Sequence, residues 1–386
     1  MLHRRLHSAW IWNHSVICLF LAISGCWSSP PQFRLNTEGR DPQSISPEQA
    51  SAITDTLEKI FGTPDKPAVP DGIDLSMDLL KMAAGPIGSD AQDRPWGLFR
   101  KHCVACHGLS GDGAGTNAAA LDPYPRDYRY GVFKFTSTVA GAKPTRQDLI
   151  RTLRKGIPGT AMPSFSQLPD GQIDALVEYV KYLSIRGETE LYLLKQAVDE
   201  NAELPLDTTE VIKEGVQPIA KSWTDATNLT VNIPPPQSIN TVQQLSASIA
   251  RGRELFRTMG AQCFQCHGWV GKGDGERWEL YDDWNIRKKG ATPVETKELA
   301  NRFQLPIQSL QPRDLTDGLF RGGNRPADIY MRISAGIKGT PMTGAGPTPS
   351  GKGAIAPEDI WHMVNYVISL SKKGSEFGIQ GSAFER

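Results

Sequence analysis

The chain has few cysteines and none to spare. Of six in 386 residues, Cys18 and Cys26 lie in an apolar N-terminal stretch, and the other four form two close pairs, Cys103/Cys106 and Cys263/Cys266. Charge of one sign is also lacking: 42 Lys and Arg stand against 42 Asp and Glu. That balance gives no reason to expect a nucleic-acid partner and no strong whole-molecule steering field. Beyond the N-terminus no stretch is apolar for long enough to cross a bilayer, which takes roughly 20 residues. Convincing period-two alternation is missing too, so the expected fold class is all-α. Histidine is scarce, and only His102 and His362 stand outside the leader and the cysteine motifs.

What is present is a repeated motif. Cys103-Val-Ala-Cys106-His107 and Cys263-Phe-Gln-Cys266-His267 are both Cys-x-x-Cys-His. Two thiols three positions apart can each form a thioether to one haem vinyl group, and the adjacent His reaches the iron from the proximal side. A structural zinc site would need four ligands. A thioredoxin-like dithiol needs no His directly after it. Neither alternative fits a chain whose four remaining cysteines are already claimed, so two covalent haems are expected.

The start of the chain reads as a processed leader. Arg4 and Arg5 form a basic n-region, and the apolar stretch Val16–Ile23 ends in Ile23-Ser-Gly-Cys26, the pattern of a bacterial lipoprotein signal over residues 1–25. Cys26 is then the lipidated first residue, anchored on a membrane rather than spanning it. Loss of residues 1–25 removes two positive charges and no negative ones, so Lys and Arg fall from 42 to 40 and the net charge becomes −2.

The repeat extends well past the haem motifs. Gly108–Gly115 is answered by Gly268–Gly275, Pro125-Arg126-Asp127 by Pro312-Arg313-Asp314, Gly156-Ile-Pro-Gly-Thr-Ala-Met162 by Gly336-Ile-Lys-Gly-Thr-Pro-Met342, and Tyr179-Val by Tyr366-Val. Four blocks in one order mean duplication of a whole domain, with each copy of single-domain size. Residues 26–90 and 191–240 carry proline-rich runs, including Pro234-Pro-Pro236. The expected organisation is therefore a tether over 26–90, a first domain over 91–190, a linker over 191–240 and a second domain over 241–386. One short helix is expected within the tether, from Ser46 to Ile60, on the Ser46-Pro47-Glu48-Gln49 start. Residues 276–311 are an insertion in the second copy. Trp278, Tyr281, Asp282, Asp283, Trp284, Arg287, Lys288 and Lys289 give it the mix of a contact surface, though covering its own haem would explain it equally well.

Both copies resemble class I cytochrome c domains: a helix running into Cys-x-x-Cys-His-Gly, a glycine-rich loop, a Gly-Ile-x-Gly-Thr-x-Met segment and a last helix bearing Tyr-Val. The resemblance implies haem c with iron in each copy, attachment outside the cytoplasm, and Met162 and Met342 as sixth ligands opposite His107 and His267. The sequence agrees for the first copy, where Met162 is the next methionine after His107 and lies among glycines and Pro163. In the second copy Met331 and Met363 compete, and His362 is the substitute if Met342 is not the ligand. The resemblance further implies that a proline carbonyl, from Pro125 or Pro312, accepts the proximal histidine's other ring proton. Arg126 and Arg313 either pair with propionates or sit in surface turns with the neighbouring Asp. His102 reads as a solvated residue ahead of the motif.

With His and Met on both irons no site is vacant, so the expected role is electron transfer rather than bond chemistry. The expected setting is a membrane-anchored respiratory chain component on the periplasmic side of a bacterial membrane. Its partners would be a donor and an acceptor redox protein such as a respiratory complex, an oxidase or a soluble cytochrome. Two rivals stay open: a dihaem peroxidase-like enzyme, and an obligate haem subunit of a larger quinol- or cytochrome-oxidising complex.

Overall fold

The computed structural model of the chain describes residues 30–200, 202–258, 260–276, 280–281, 292–348, 351 and 353–371. The expected leader, Cys26, and Trp278, Asp282, Asp283, Trp284, Arg287, Lys288 and Lys289 of the insertion lie outside the described residues. No helix among the described residues is long and apolar enough to cross a membrane.

The fold is helical, and its one sheet among the described residues is the two-residue pair β1 (Gly88–Ser89) and β2 (Pro95–Trp96). In the first half, α1 (Pro47–Phe61), α2 (Met77–Ala83), α3 (Leu98–His102) and α5 (Arg146–Lys155) gather on the 25-residue α6 (Asp170–Leu194), and α4 (Val104–His107) packs on α3. Local chemistry sets the ends. Ser46 and Gln49 close a reciprocal capping box over Pro47, and Thr145 with Asp148 does the same for α5. Helix α1 stops at Gly62, φ 73°, where a Cβ would stand 2.2 Å from the Lys66 carbonyl oxygen. Gly187 is a costly residue in mid-helix, by roughly 1 kcal/mol. The segment carrying Arg129 crosses there, and a Cβ would lie 2.3 Å from the Arg129 Cα.

The expectation that residues 26–90 form a tether fails for most of that span. Phe33, Ile53, Leu57, Phe61, Leu80 and Ala83 are buried in the first domain's core, each large side chain contributing roughly 1.5–3 kcal/mol on burial. The Tyr182 hydroxyl donates to the Phe61 carbonyl at 2.6 Å, and Glu178 accepts from the Ser76 N–H at 2.8 Å. Prolines in this stretch mark corners between packed elements, which composition alone cannot distinguish from an extended chain.

The linker over 191–240 is likewise structured. Helix α6 runs to Leu194, and α7 (Gln217–Asp225) buries Trp223 edge-on against Phe133, centroids 5.9 Å apart. Farther on, the Val139 N–H donates to Leu229 and the Val231 N–H to Ser137, at 2.9 and 2.8 Å. Pro234, in the proline run, accepts from the Trp361 indole N–H at 2.9 Å. The linker is fixed to both domains.

The second domain is built on α8 (Val242–Arg257), α9 (Cys263–His267), α10 (Pro326–Ala335) and α11 (Pro357–Leu370). Its centre is the crossing of α8 with α11, tight enough that a Cβ on Gly252 would meet the His362 carbonyl oxygen at 2.0 Å. The domains also touch directly. Lys338 donates to Thr138 Oγ1 and the Ala142 carbonyl at 2.5 and 2.7 Å, and Arg332 donates to the carbonyls of Lys134 and Thr136. The described end of the insertion faces the first domain, a surface neither sequence expectation chose. Gln308 bonds Leu121 and Tyr124, and Gly39 donates to Arg302.

Candidate functional site

Each haem motif ends a helix on a glycine with positive φ, Gly108 at 71° and Gly268 at 75°, and a glycine-rich turn folds back onto it. The Gly113 N–H donates to the His107 carbonyl and Gly115 to Cys106, at 2.9 and 3.0 Å. In the second copy Gly273 donates to His267 and Gly275 to Cys266, at 2.9 and 3.1 Å. A carboxylate buttresses each turn, Asp112 against Gly108 and Asp274 against Gly268. The turns thus pin the histidine backbone at both sites, with no lysine-hydroxyl pair of the kind a phosphate loop requires.

The imidazoles are fixed by carbonyls one residue beyond the expected prolines. His107 Nδ1 lies 3.0 Å from the Arg126 carbonyl oxygen, and His267 Nδ1 lies 3.0 Å from that of Arg313. Pro125 is committed elsewhere, its carbonyl crowding Gly113, and Pro312 does the same at Gly273. A carbonyl can only accept, so Nδ1 carries the proton and Nε2 keeps its lone pair. Burial pushes the His107 imidazole down to about 4 and holds His267 below the ordinary histidine value. Both rings are therefore neutral near pH 7, the form that ligates metal. Burial also pushes the Cys103 thiol up to about 12 and that of Cys263 to about 11, so before attachment these sulfurs are thiols.

In the first domain one open cavity brings together Cys103, Cys106, His107 and Met162, walled by Leu121, Tyr128, Phe133, Leu149, Leu153 and Phe165. Two thiols and an imidazole on a largely apolar, aromatic-walled cavity, with Arg126, Lys134 and Arg321 also on its lining, are the donor set that a flat macrocycle with an apolar body and charged propionates needs. The methionine loops are built alike in both domains. The Ile157 N–H donates to the Met162 carbonyl at 3.1 Å, and Ile337 to Met342 at 2.9 Å. Thr160 and Thr340 each accept from the methionine N–H at 3.2 Å and donate to the Ile carbonyl. Among the described residues the four cysteines are free of disulfides, and no three of His, Cys, Asp and Glu converge as a metal-holding group.

The other expected residues fall elsewhere. His102 is only partly solvated: it lines the cavity and meets Phe165 edge-on at 5.8 Å. His362 is held at the crossing of α8 and α11, its Nδ1 2.7 Å from Ser248 Oγ. Asp127 is not in a surface turn with Arg126. It is buried and paired in a fork with buried Arg129, the shortest contact being 2.7 Å. Among the cavity residues that escaped the sequence reading, two stand out. Tyr128 stacks on His107 with centroids 4.6 Å apart, and its place in a repeated block was the available signal. Arg321 reaches the cavity from the second domain, and no motif marks it.

Residues 90–180 match the family model for cytochrome c oxidase, cbb3-type, subunit III, and residues 249–371 match that for cytochrome c. Among solved structures, a chain of the reducing HAO-like protein complex of Kuenenia stuttgartiensis is similar, with 25% identity over 72% of this chain and 94% of that one and a TM-score of 0.49. No curated protein matches the chain. The two matched segments enclose the two cysteine motifs separately, one in each copy of the duplication.

Proposed function

We propose, from the premise that this chain is a dihaem c-type cytochrome with two covalently attached haems, that it relays electrons between two redox proteins with both irons ligated by His and Met. The carrying observation is the convergence of Cys103, Cys106, His107 and Met162 on one cavity. The haem supplies one-electron chemistry at its iron, and thioether ligation favours the ferrous state. The protein's part is placement. Cys103 and Cys106 hold the macrocycle's edge, and the Arg126 and Arg313 carbonyls fix the two imidazoles in the ligating tautomer. Met162 and Met342 would supply the second ligand to each iron from loops held by Thr160 and Thr340. A site so closed changes little between oxidation states, which suits fast electron exchange and leaves no position for peroxide.

Met162→Ala and Met342→Ala, made separately, are each expected to turn one haem high-spin and open it to carbon monoxide while the other stays low-spin. Rapid carbon monoxide binding to the native reduced protein, or peroxidase turnover with a reduced donor, would sink the reading.

We place the carrier on the periplasmic face of a bacterial membrane, held by lipid on Cys26; the support is the Ile23-Ser-Gly-Cys26 sequence at the end of a short apolar stretch. Cell fractionation tests it: the native chain should stay with membranes and Cys26→Ser should be released. Service as a haem subunit of a larger complex is the second reading, favoured by the first domain's match to an oxidase subunit model.

A further inference from the structure

The strongest unassigned feature lies where the second domain meets the first haem cavity. Arg321 belongs to the second domain by sequence, yet it lines the cavity that holds Cys103, Cys106, His107 and Met162. One Nη donates to the Gly159 carbonyl, in the first domain's methionine loop, at 3.3 Å. Its Nε is buried with no hydrogen-bond partner. Arg313 arrives at the same loop: a Cβ on Gly159 would lie 2.7 Å from its Nη2, and the Nε and Nη2 of Arg313 are also buried without partners. Neither guanidinium forms an ion pair with a carboxylate among the described residues. Two cations sharing one half-buried corner without a paired carboxylate repel each other and lose hydration, which the charge of nearby Asp122 offsets only in part. Burial, then Arg313, accordingly depress the Arg321 pKa. A haem in this cavity brings two carboxylates, and a guanidinium fork matches a carboxylate geometrically.

We propose that Arg321 of the second domain binds a propionate of the first domain's haem, so that the first haem is completed in trans by its neighbour. Arg313 backs this contact from the same corner while its own carbonyl orients His267 at the second haem. The duplication therefore yields a shared electrostatic element rather than two independent sites. The inference rests on the haem-binding reading of the cavity and not on which atom takes the sixth position, so spin state reports on that reading and the experiment below reports on this one.

The experiment is a redox titration of the holoprotein at several pH values, comparing native, Arg321→Gln and Arg321→Lys chains. The first haem's signals are identified by paramagnetic NMR through their contacts with Tyr128. Removing the cation should lower the first haem's potential. At a fixed applied potential its reduced-to-oxidised ratio is expected to fall by about tenfold, a shift of the size one nearby charge produces at intermediate dielectric. The pH dependence of that potential should move to higher pH, because the propionate loses its partner. Arg321→Lys should restore most of both, and the second haem should move little. The proposal is overturned if Arg321→Gln leaves the first haem's potential and its pH dependence unchanged. It is equally overturned if the only effect is a lower melting temperature, which would make Arg321 a latch between domains and nothing more.

Discussion

Around the first haem motif, His107 stacks on Tyr128, which is backed by Phe133 at 5.8 Å. Around the second, Leu315 takes the equivalent place, and its N–H makes the same 2.7 Å bond to the glycine turn that Tyr128 makes. The two copies thus share a skeleton of individual hydrogen bonds and differ in what surrounds it. The first domain recruits α1, α2 and the segment before them, together with α7, and its core draws on residues from Phe33 to Trp223. The second has a smaller described core centred on Phe256, Tyr330, Trp361 and Val364. The same backbone hydrogen bonds can therefore hold one motif histidine that is buried and another that is only partly so.

The largest expected effect comes from the residue that follows the histidine-orienting carbonyl. Asp127 in the first copy neutralises Arg129, and both are almost wholly buried. Asp314 in the second accepts from the Thr316 N–H and hydroxyl, at 2.8 and 2.6 Å, and is only partly buried. Asp127→Asn should cost about 3–5 kcal/mol, because it strands a buried guanidinium. Asp314→Asn should cost less, because a partly buried carboxylate leaves no fully desolvated cation behind when it is neutralised. Denaturant melts of the two variants measure the contrast directly, and equal losses would mean that the burial difference between the domains does not govern their stability.

The sequence made the duplication legible because covalent attachment and ligation demand fixed residue types at fixed spacing. Cys103, Cys106, His107 and Met162 could be chosen without coordinates for that reason, and Gly156 and Gly336 marked loops because both need positive φ. What escaped was set by non-local packing. Pro64, Pro67 and Pro70 carry the same composition whether they bend a packed segment or stiffen a free one. The Arg126 carbonyl displaced that of Pro125 through a one-residue difference in path, and no side-chain pattern records that. Arg321 was invisible for a third reason: its contacts lie at Gly159, on the other domain.

The smallest effect separates the two domains at their surfaces. In the first copy the residue two places after Gly108 is Ser110, buried and accepting from the Arg34 N–H at 2.7 Å; the N-terminal segment covers that flank. In the second copy Trp269 and Val270 follow Gly268, and they are 56% and 47% exposed. Trp269 lies against Phe264, between the two haem cysteines, with centroids 4.5 Å apart. The Arg257 guanidinium stands over its ring, and an Nη donates to its carbonyl at 2.8 Å. An exposed aromatic held in place beside a haem attachment point has the character of an interface anchor. Trp269→Ala should leave both potentials unchanged and shift stability by less than about 0.5 kcal/mol, as expected at an exposed position. The second-order rate of electron exchange with a small soluble cytochrome should nevertheless fall by about threefold to tenfold, the loss of roughly 1 kcal/mol of contact energy. Stopped-flow kinetics would show it, and an unchanged rate would move the exit for electrons away from this flank of the second domain.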